Sequence, residues 1–409
     1  MQAKPELLRS ARNAYLRSPP TSPQTSSVRD AIRGCATIAF YEAVRISTLL
    51  IFLLAFRVAG LAQEERKIIT KKDEDKDPIT QSLPSLKDPP PAAAGETARL
   101  VFHVSPISTK GLMSQQVRDA LKSLFHENHD AQIVKLRAFV AGSGDLRRVQ
   151  TLVSETFTEH KMNLPALSTI QAGALPADGA QVVIESIAVE KKTVNPNGLA
   201  FFSGQQAKDV RTSMTQLQNA VADGNVAPSD VLRITCFLSS LDDASAARDL
   251  LRGAFPNAAA NFIQLQRLPV EAVAECEAVG RLGRAPAGAV EMLNPAGLTR
   301  NGNYSQIALV NAPKIVFSGT QMAFGQQESD INLAFERLLK EIGVLGASGK
   351  DVFWSSVYPL TRPVGDTIRA VRFHYFDQGR PPASTFLVFE GLPSLDASMA
   401  IEVMAAPSN

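Results

Sequence analysis

Cysteine is scarce in this 409-residue chain, and the three present, Cys35, Cys236 and Cys276, include no Cys-x-x-Cys pair. Zinc-ribbon and thioredoxin-type motifs are thereby excluded. Histidine is almost as rare: His103, His126, His129, His160 and His374 show no zinc-site spacing, so no metal is expected. An excess of charge is also missing, since 42 Lys and Arg face 40 Asp and Glu for a net +2. Without a basic stripe interleaved with aromatics, a nucleic-acid partner is not expected. Walker-type loops, dinucleotide glycine fingerprints, Gly-x-Ser-x-Gly elbows and His-Glu-x-x-His pairs are all absent, and no cofactor is expected.

Long hydrophobic runs are missing too. The longest apolar run without a charge, Ile46 to Phe56, spans eleven residues between Arg45 and Arg57, short of the about 20 a membrane-crossing helix needs. It suits the apolar core of a signal peptide. Ala59-Gly60-Leu61-Ala62 supplies small residues before a cut, which makes Gln63 the expected first mature residue. Export to the periplasm or beyond is expected. The alternative is an uncleaved anchor using the softer stretch from Ile38, with membrane contact through this segment alone.

What the chain does have is 45% apolar residues, enough for several cores. Residues 1–62 read as the leader. Residues 63–97, with KKDEDKD and DPPPAAAG, read as a disordered linker. Beyond them one order of elements recurs three times, in 98–192, 193–282 and 293–409, with 283–292 as a linker. Each copy opens on an apolar strand reaching a serine: Ser105, Ser203 and Ser318. An amphipathic helix follows. Its apolar positions are Val117, Ala120, Leu121 and Leu124 in the first copy, Met214, Leu217 and Val221 in the second, and Ile331, Phe335, Leu338 and Ile342 in the third.

A strand comes next, alternating Leu136 and Ala138 against Lys135 and Arg137 in the first copy, and Ile234 and Cys236 against Arg233 and Thr235 in the second. A second helix is expected over Leu146 to His160, Asp243 to Phe255 and Asp366 to Phe376. Then come a strand, a Leu-Pro break (Leu175-Pro176, Leu268-Pro269, Leu392-Pro393) and a last apolar strand. The result is βαβαββ per copy, an α+β fold with helices on one sheet face. The other face needs a partner, and three such faces can close around one axis. Cys236 and Cys276 fall in strands of one copy, where buried free thiols are the default and a disulfide becomes possible on export.

These segments resemble a known family. LNPAGLTRNGNYSQIALVNAPKIVFSGTQ in the third copy, PALSTIQAGALPADGAQVVIESIAV in the first, and FFSGQ with QRLPVEAVAECEAV in the second are similar to the RidA/YjgF imine deaminases, formerly called endoribonuclease L-PSP. The resemblance spans Thr97 to Ala406. It implies a chorismate-mutase-like fold in which a trimer, here within one chain, holds ligand clefts between modules. It also implies an arginine that grips a 2-imino acid carboxylate, yet the matching positions hold Leu167, Ala260 and Ser384. Of the two glutamates in the family's last strand, the first matches Val183, Glu275 and Ala400, and the second Glu185, Glu277 and Glu402. Residues two apart share a strand face, so spacing leaves open which one meets a ligand.

Glu275 is the candidate catalytic residue. The candidate ligand-binding residues are Ser203-Gly204 and Ser318-Gly319, which match the family's Ser-Gly turn (Ser105-Pro106 in the first copy), together with Tyr304. Gln150, Arg248 and Arg369 match a helix position near the ligand, and the two arginines are candidate relocated anchors. Three functions follow: a small-metabolite binder with degenerate clefts, a divergent imine or enamine deaminase, and an RNA-cleaving or translation-inhibiting protein. Absence of the arginine from all three copies favours the first.

Overall fold

The computed structural model describes residues 86–142, 144–298 and 301–407; the expected leader and most of the first linker lie outside the described residues. The elements run β1 (Ala92–Glu96), β2 (Leu100–Val104), α1 (Met113–Asn128), β3 (Gln132–Ala141), α2 (Arg147–Glu159), β4 (Ala166–Ala172) and β5 (Val182–Val189). Then come β6 (Leu199–Ala207), α3 (Val210–Asp223), β7 (Val231–Leu238), α4 (Ala244–Ala254), β8 (Ala259–Gln264) and β9 (Ala274–Arg281). The remainder is β10 (Val290–Leu293), β11 (Ile307–Val310), β12 (Lys314–Ser318), β13 (Gln321–Phe324), α5 (Glu328–Gly343), β14 (Val352–Pro359), α6 (Arg362–Val371), β15 (Ala383–Phe386) and β16 (Ala397–Ala405).

These make a mixed α+β protein with three sheets. Sheet one is ordered β2-β5-β3-β4, sheet two β10-β11-β6-β9-β7-β8, and sheet three β1-β12-β16-β14-β15 with β13 also on β16. The inner order is the same in all three, with a parallel pair at one side (β3/β4, β7/β8, β14/β15). Parallel neighbours require a crossover, which α2, α4 and α6 supply. The helical stripes named above are buried against the sheets, forming three cores. At this level the expected element order holds.

Several boundaries differ. Ala92–Glu96, expected in the disordered linker, is a strand on the edge of sheet three, with Ala94 opposite Val316. Its short, small side chains fit an edge already flanked by apolar cover. Val290–Leu293, whose first three residues were expected as linker, pairs with β11, and β11 pairs with β6, so β10 and β11 extend sheet two. Helix α6 begins at Arg362 rather than Asp366 because extended Thr361 precedes it and Pro363 occupies its first turn. The Ser203-Gly204 step is no turn: β6 runs through it with a bulge between Phe202 and Gln205.

The alternating polar residues of β3 and β7 do not face water. Lys135, Arg137 and Arg233 are buried, because the inner faces of the three sheets meet one another. Three layers stack there. One is apolar, with Phe139, Phe237, Tyr358 and Phe389; the opposite one gathers Phe102, Phe201, Phe353 and Trp354. A charged layer lies between. The chain from Val273 through β9 crosses all three, since Val273, Glu275, Glu277 and Val279 alternate onto one face at about 7 Å per pair of residues. On its other face, Cys276 stands directly opposite Cys236 of β7 and the two form a disulfide, which replaces the free thiols expected by default.

Candidate functional site

The charged layer collects the second glutamate of each sheet. Arg137 Nε donates to Glu185 at 2.7 Å, its Nη2 to Glu277 at 2.6 Å, and its Nη1 lies 3.8 Å from Glu402. Lys135 pairs with Glu402 at 2.6 Å, and Arg233 lies 3.5 Å from Glu185 and 3.6 Å from Glu277. Each carboxylate also takes a hydrogen bond from the neighbouring sheet: Ser168 to Glu402, Asn261 to Glu185 at 3.2 Å, Thr385 to Glu277 at 2.5 Å. Burial pushes Glu402 up, but Lys135 and Arg137 outweigh it and hold the carboxyl at about 2. Glu185 is likewise held low by Arg137 and Arg233 against its burial. Three carboxylates therefore face three cations, all buried. These glutamates join the sheets and leave no carboxylate for a ligand.

The first glutamate position behaves differently. Glu275 is only 5% exposed, lies one strand step nearer the surface than Glu277, and accepts a hydrogen bond from the Phe386 backbone N–H. Burial, and then the charge of Glu277, push its carboxyl up to about 8, so it holds a proton at neutral pH. A Cβ at position 204 would run into the Glu275 carboxyl, which gives the bulge at Gly204 its purpose. Tyr304 is close enough that burial and the Glu275 charge raise its phenol. Ser203 Oγ donates to Ser305 O at 2.7 Å and accepts from Ser384 N–H at 2.8 Å.

Outside this group opens a cleft of about 690 Å³ between sheets two and three, lined by Gln206, Pro269, Val270, Arg362, Arg369 and Phe386 among others. Glu275 adjoins this lining through Gln206, its strand partner, and through Phe386, whose backbone N–H donates to it. Arg369 stacks on Phe386 at 4.3 Å and bonds Asp366 at 2.8 Å. Arg362 pairs across the rim with Glu271 at 2.6 Å. Ser384 has its hydroxyl engaged by Ser355.

The other two inter-sheet clefts differ. Between sheets one and two a hollow of about 610 Å³ is lined by Asp178, Ser240, Asp242, Ser245 and Arg248. There Val183 replaces the glutamate, Ser105 Oγ is taken by Ile184 N–H at 3.0 Å, and Arg248 lies over Phe262 at 5.6 Å. Between sheets three and one a hollow of about 380 Å³ is lined by Glu96, Lys314, Gln132 and Lys191 among others, but next to Ser318 and Gly319 the space is filled by the chain itself. Gly319 N–H donates to Pro91 O at 2.6 Å, Lys135 to Ser318 O at 2.6 Å, and Gln150 to Asp88 at 2.9 Å. Hence Gly204 and Tyr304 gather around Glu275, with Ser203 beside them, next to the cleft that Arg369 lines; Arg248 lines a second, and Ser318 and Gly319 seal a third. The sequence expectations omitted Lys135, Arg137 and Arg233, although alternation in β3 and β7 marked them, and omitted Gln206. Among the described residues no group of three or more His, Cys, Asp or Glu gathers to hold a metal, and no helix is long and apolar enough to cross a membrane.

Residues 96–190 match the family described as endoribonuclease L-PSP. No curated protein matches the chain. Among solved structures, a Rid-family protein of unknown function from Yersinia pestis is 16% identical over 29% of this chain and 99% of its own, TM-score 0.27. A putative endoribonuclease from Thermotoga maritima is 22% identical over 30% and 100%, TM-score 0.22. E. coli TdcF with bound serine is 22% identical over 24% and 87%, TM-score 0.21.

Proposed function

We propose, for a chain whose residues 96–190 form a module of the endoribonuclease L-PSP (RidA/YjgF) family, that three such modules assemble as a trimer within one chain and bind one small metabolite between the second and third. The common strand order of the three sheets and the cyclic pattern of hydrogen bonds to Glu185, Glu277 and Glu402 support the internal trimer. The carrying observation for binding is that the cleft of about 690 Å³ is lined by Gln206 and Phe386, the strand partner and the backbone hydrogen-bond donor of a buried protonated glutamate, Glu275. A neutral carboxyl both donates and accepts, so it suits a carbonyl, hydroxyl or amide group of a ligand. Since the arginine position holds Ser384, standard imine hydrolysis is not assigned. Calorimetric titration with a panel of small oxo acids, amides and amino acids tests this. Saturable binding lost in Glu275→Leu, which neither donates nor accepts, is expected; a silent panel would remove the proposal.

A second reading has its own support. A carboxyl at about 8 is poised for proton transfer near neutral pH, as a divergent deaminase requires. Hydrolysis of 2-iminobutyrate clearly above the spontaneous rate, abolished by Glu275→Gln, would put this reading first.

Export remains part of the proposal. The Cys236–Cys276 disulfide supports an oxidising compartment, and mass spectrometry of the mature protein tests a start at Gln63. A single chain supplying all modules is expected to run as a monomer in light scattering.

A further inference from the structure

The three Leu-Pro breaks hold one place in the repeat, but their leucines do not behave alike. Leu175 and Leu392 are 5% exposed and belong to the inner apolar layer. Leu268 is 88% exposed and is not part of that layer. Chain length gives the reason. Seven residues lead from Leu268 to Glu275, whereas eight lead from Leu175 to Val183 and from Leu392 to Ala400. Those end points are matched in register, because two residues further on Glu185, Glu277 and Glu402 stand opposite Arg137, Thr235 and Ser356. The second loop is therefore one residue short, and its leucine turns outward.

The clefts record the consequence. Leu175 lines the hollow between sheets one and two. The larger cleft between sheets two and three is lined by Pro269 and Val270 but not by Leu268. Its wall there is the apolar layer itself, through Leu265, Val273, Leu360 and Leu387. A seat that the chain fills with its own leucine in the first copy stands open in the second.

Charge restricts what enters. The four charged residues of the lining pair with one another, Arg362 with Glu271 at 2.6 Å and Arg369 with Asp366 at 2.8 Å, and Arg369 also lies on Phe386. A charged ligand would have to break one of these pairs or sit unmatched against apolar surface, which is unfavourable. Gln206 offers an uncharged partner, since its side-chain amide makes no hydrogen bond among the described residues and can both donate and accept.

We propose that this cleft takes an uncharged ligand with a branched aliphatic group, which fills the leucine seat among Leu265, Val273, Leu360 and Leu387 while an amide or hydroxyl meets Gln206. This rests on the cleft being a binding site.

The test uses the full chain at neutral pH, titrated calorimetrically with isocaproamide, its carboxylate isocaproate, and acetamide. Isocaproamide is expected to bind at least tenfold more tightly than acetamide, from its buried aliphatic carbons, and at least tenfold more tightly than isocaproate. Inserting one alanine between Glu271 and Ala272 restores the loop length of the other copies. Leu268 should then fold into the seat, abolishing binding and raising the melting temperature. Adding Leu268→Ser to the insertion should restore binding, and Leu268→Ser alone should leave it unchanged. Loss of binding in Leu268→Ser alone would mean that this leucine closes over the ligand, and would overturn the open seat. Binding that survives the insertion, or that is lost with either residue at position 268, would overturn it too. Should isocaproate bind while the amide does not, or acetamide match isocaproamide, the ligand class falls and the cleft stands. If none of the three binds but an oxo acid or amino acid does, the ligand class alone falls; if nothing binds, both fall.

Discussion

Replacing Arg137 by Met takes one cation from a buried layer in which three carboxylates face three cations. Lys135 and Arg233 remain, so the layer is left with one net negative charge. Glu277 suffers most, keeping Thr385 at 2.5 Å and Arg233 at 3.6 Å. Removing one partner of a buried ion pair costs about 3–5 kcal/mol. At roughly 2–4 °C per kcal/mol for a domain of this order of size, the melting temperature should fall by roughly 10 °C. The pH dependence should also change sign. In the wild type, Glu402 at about 2 and the lowered Glu185 lie below their unfolded values. Their contribution is therefore present above about pH 4.5 and lost as pH falls through the folded values. In the variant one carboxyl is forced to keep its proton, so its folded value is raised. Its contribution is full below the unfolded value and lost as pH rises. Urea unfolding at pH 5 and pH 8 reads both effects, and adding Glu277→Gln to the variant should recover at least half the loss. A cost below about 1 kcal/mol, or no recovery in the double variant, would refute the charge argument.

Glu275→Gln should change stability with the opposite sign at high pH. The wild-type carboxyl, folded at about 8, contributes least once pH exceeds that value, so the variant should melt higher than wild type at pH 9 and differ little at pH 5. Gly204→Ala, which drives a methyl into the Glu275 carboxyl, should abolish ligand binding by calorimetry while leaving circular dichroism native. Cys236→Ser with Cys276→Ser opens a link between residues 40 apart and should cost roughly 2–4 kcal/mol, with thiol titration of the protein starting at Gln63 finding no free cysteine before reduction. The Gly319 amide, bonded to Pro91, should exchange slowly with deuterium, and Asp88→Ala should speed it.

Helical stripes such as Val117, Ala120, Leu121 and Leu124 were legible because a single face is buried, and periodicity reports faces directly. Alternation in β3 was legible as well, but its meaning was not. Lys135 and Arg137 would alternate identically against water or against two neighbouring sheets, and only the closure of three sheets decides between them. The same limit kept Glu275 and Glu277 apart in role though not in pattern: whether a residue meets the cleft or the charged layer depends on where the next sheet crosses β9. Ala92–Glu96 was hidden because its five small or polar residues carry no strand propensity, and its partner Lys314–Ser318 lies far along the chain.

The pairing of β1 with β12 also sets an order of events during synthesis. Ala92–Glu96 leaves the ribosome before every other described strand, yet its partner emerges more than two hundred residues later. Until then the segment has no sheet to join, and afterwards sheet three acquires its outer strand only by reaching back to the beginning. Sheets one and two can pack while elongation continues, whereas the last sheet closes the ring in a single late step. A chain interrupted before Lys314 would therefore leave its earliest strand unpaired, along with the apolar layers that sheet three covers.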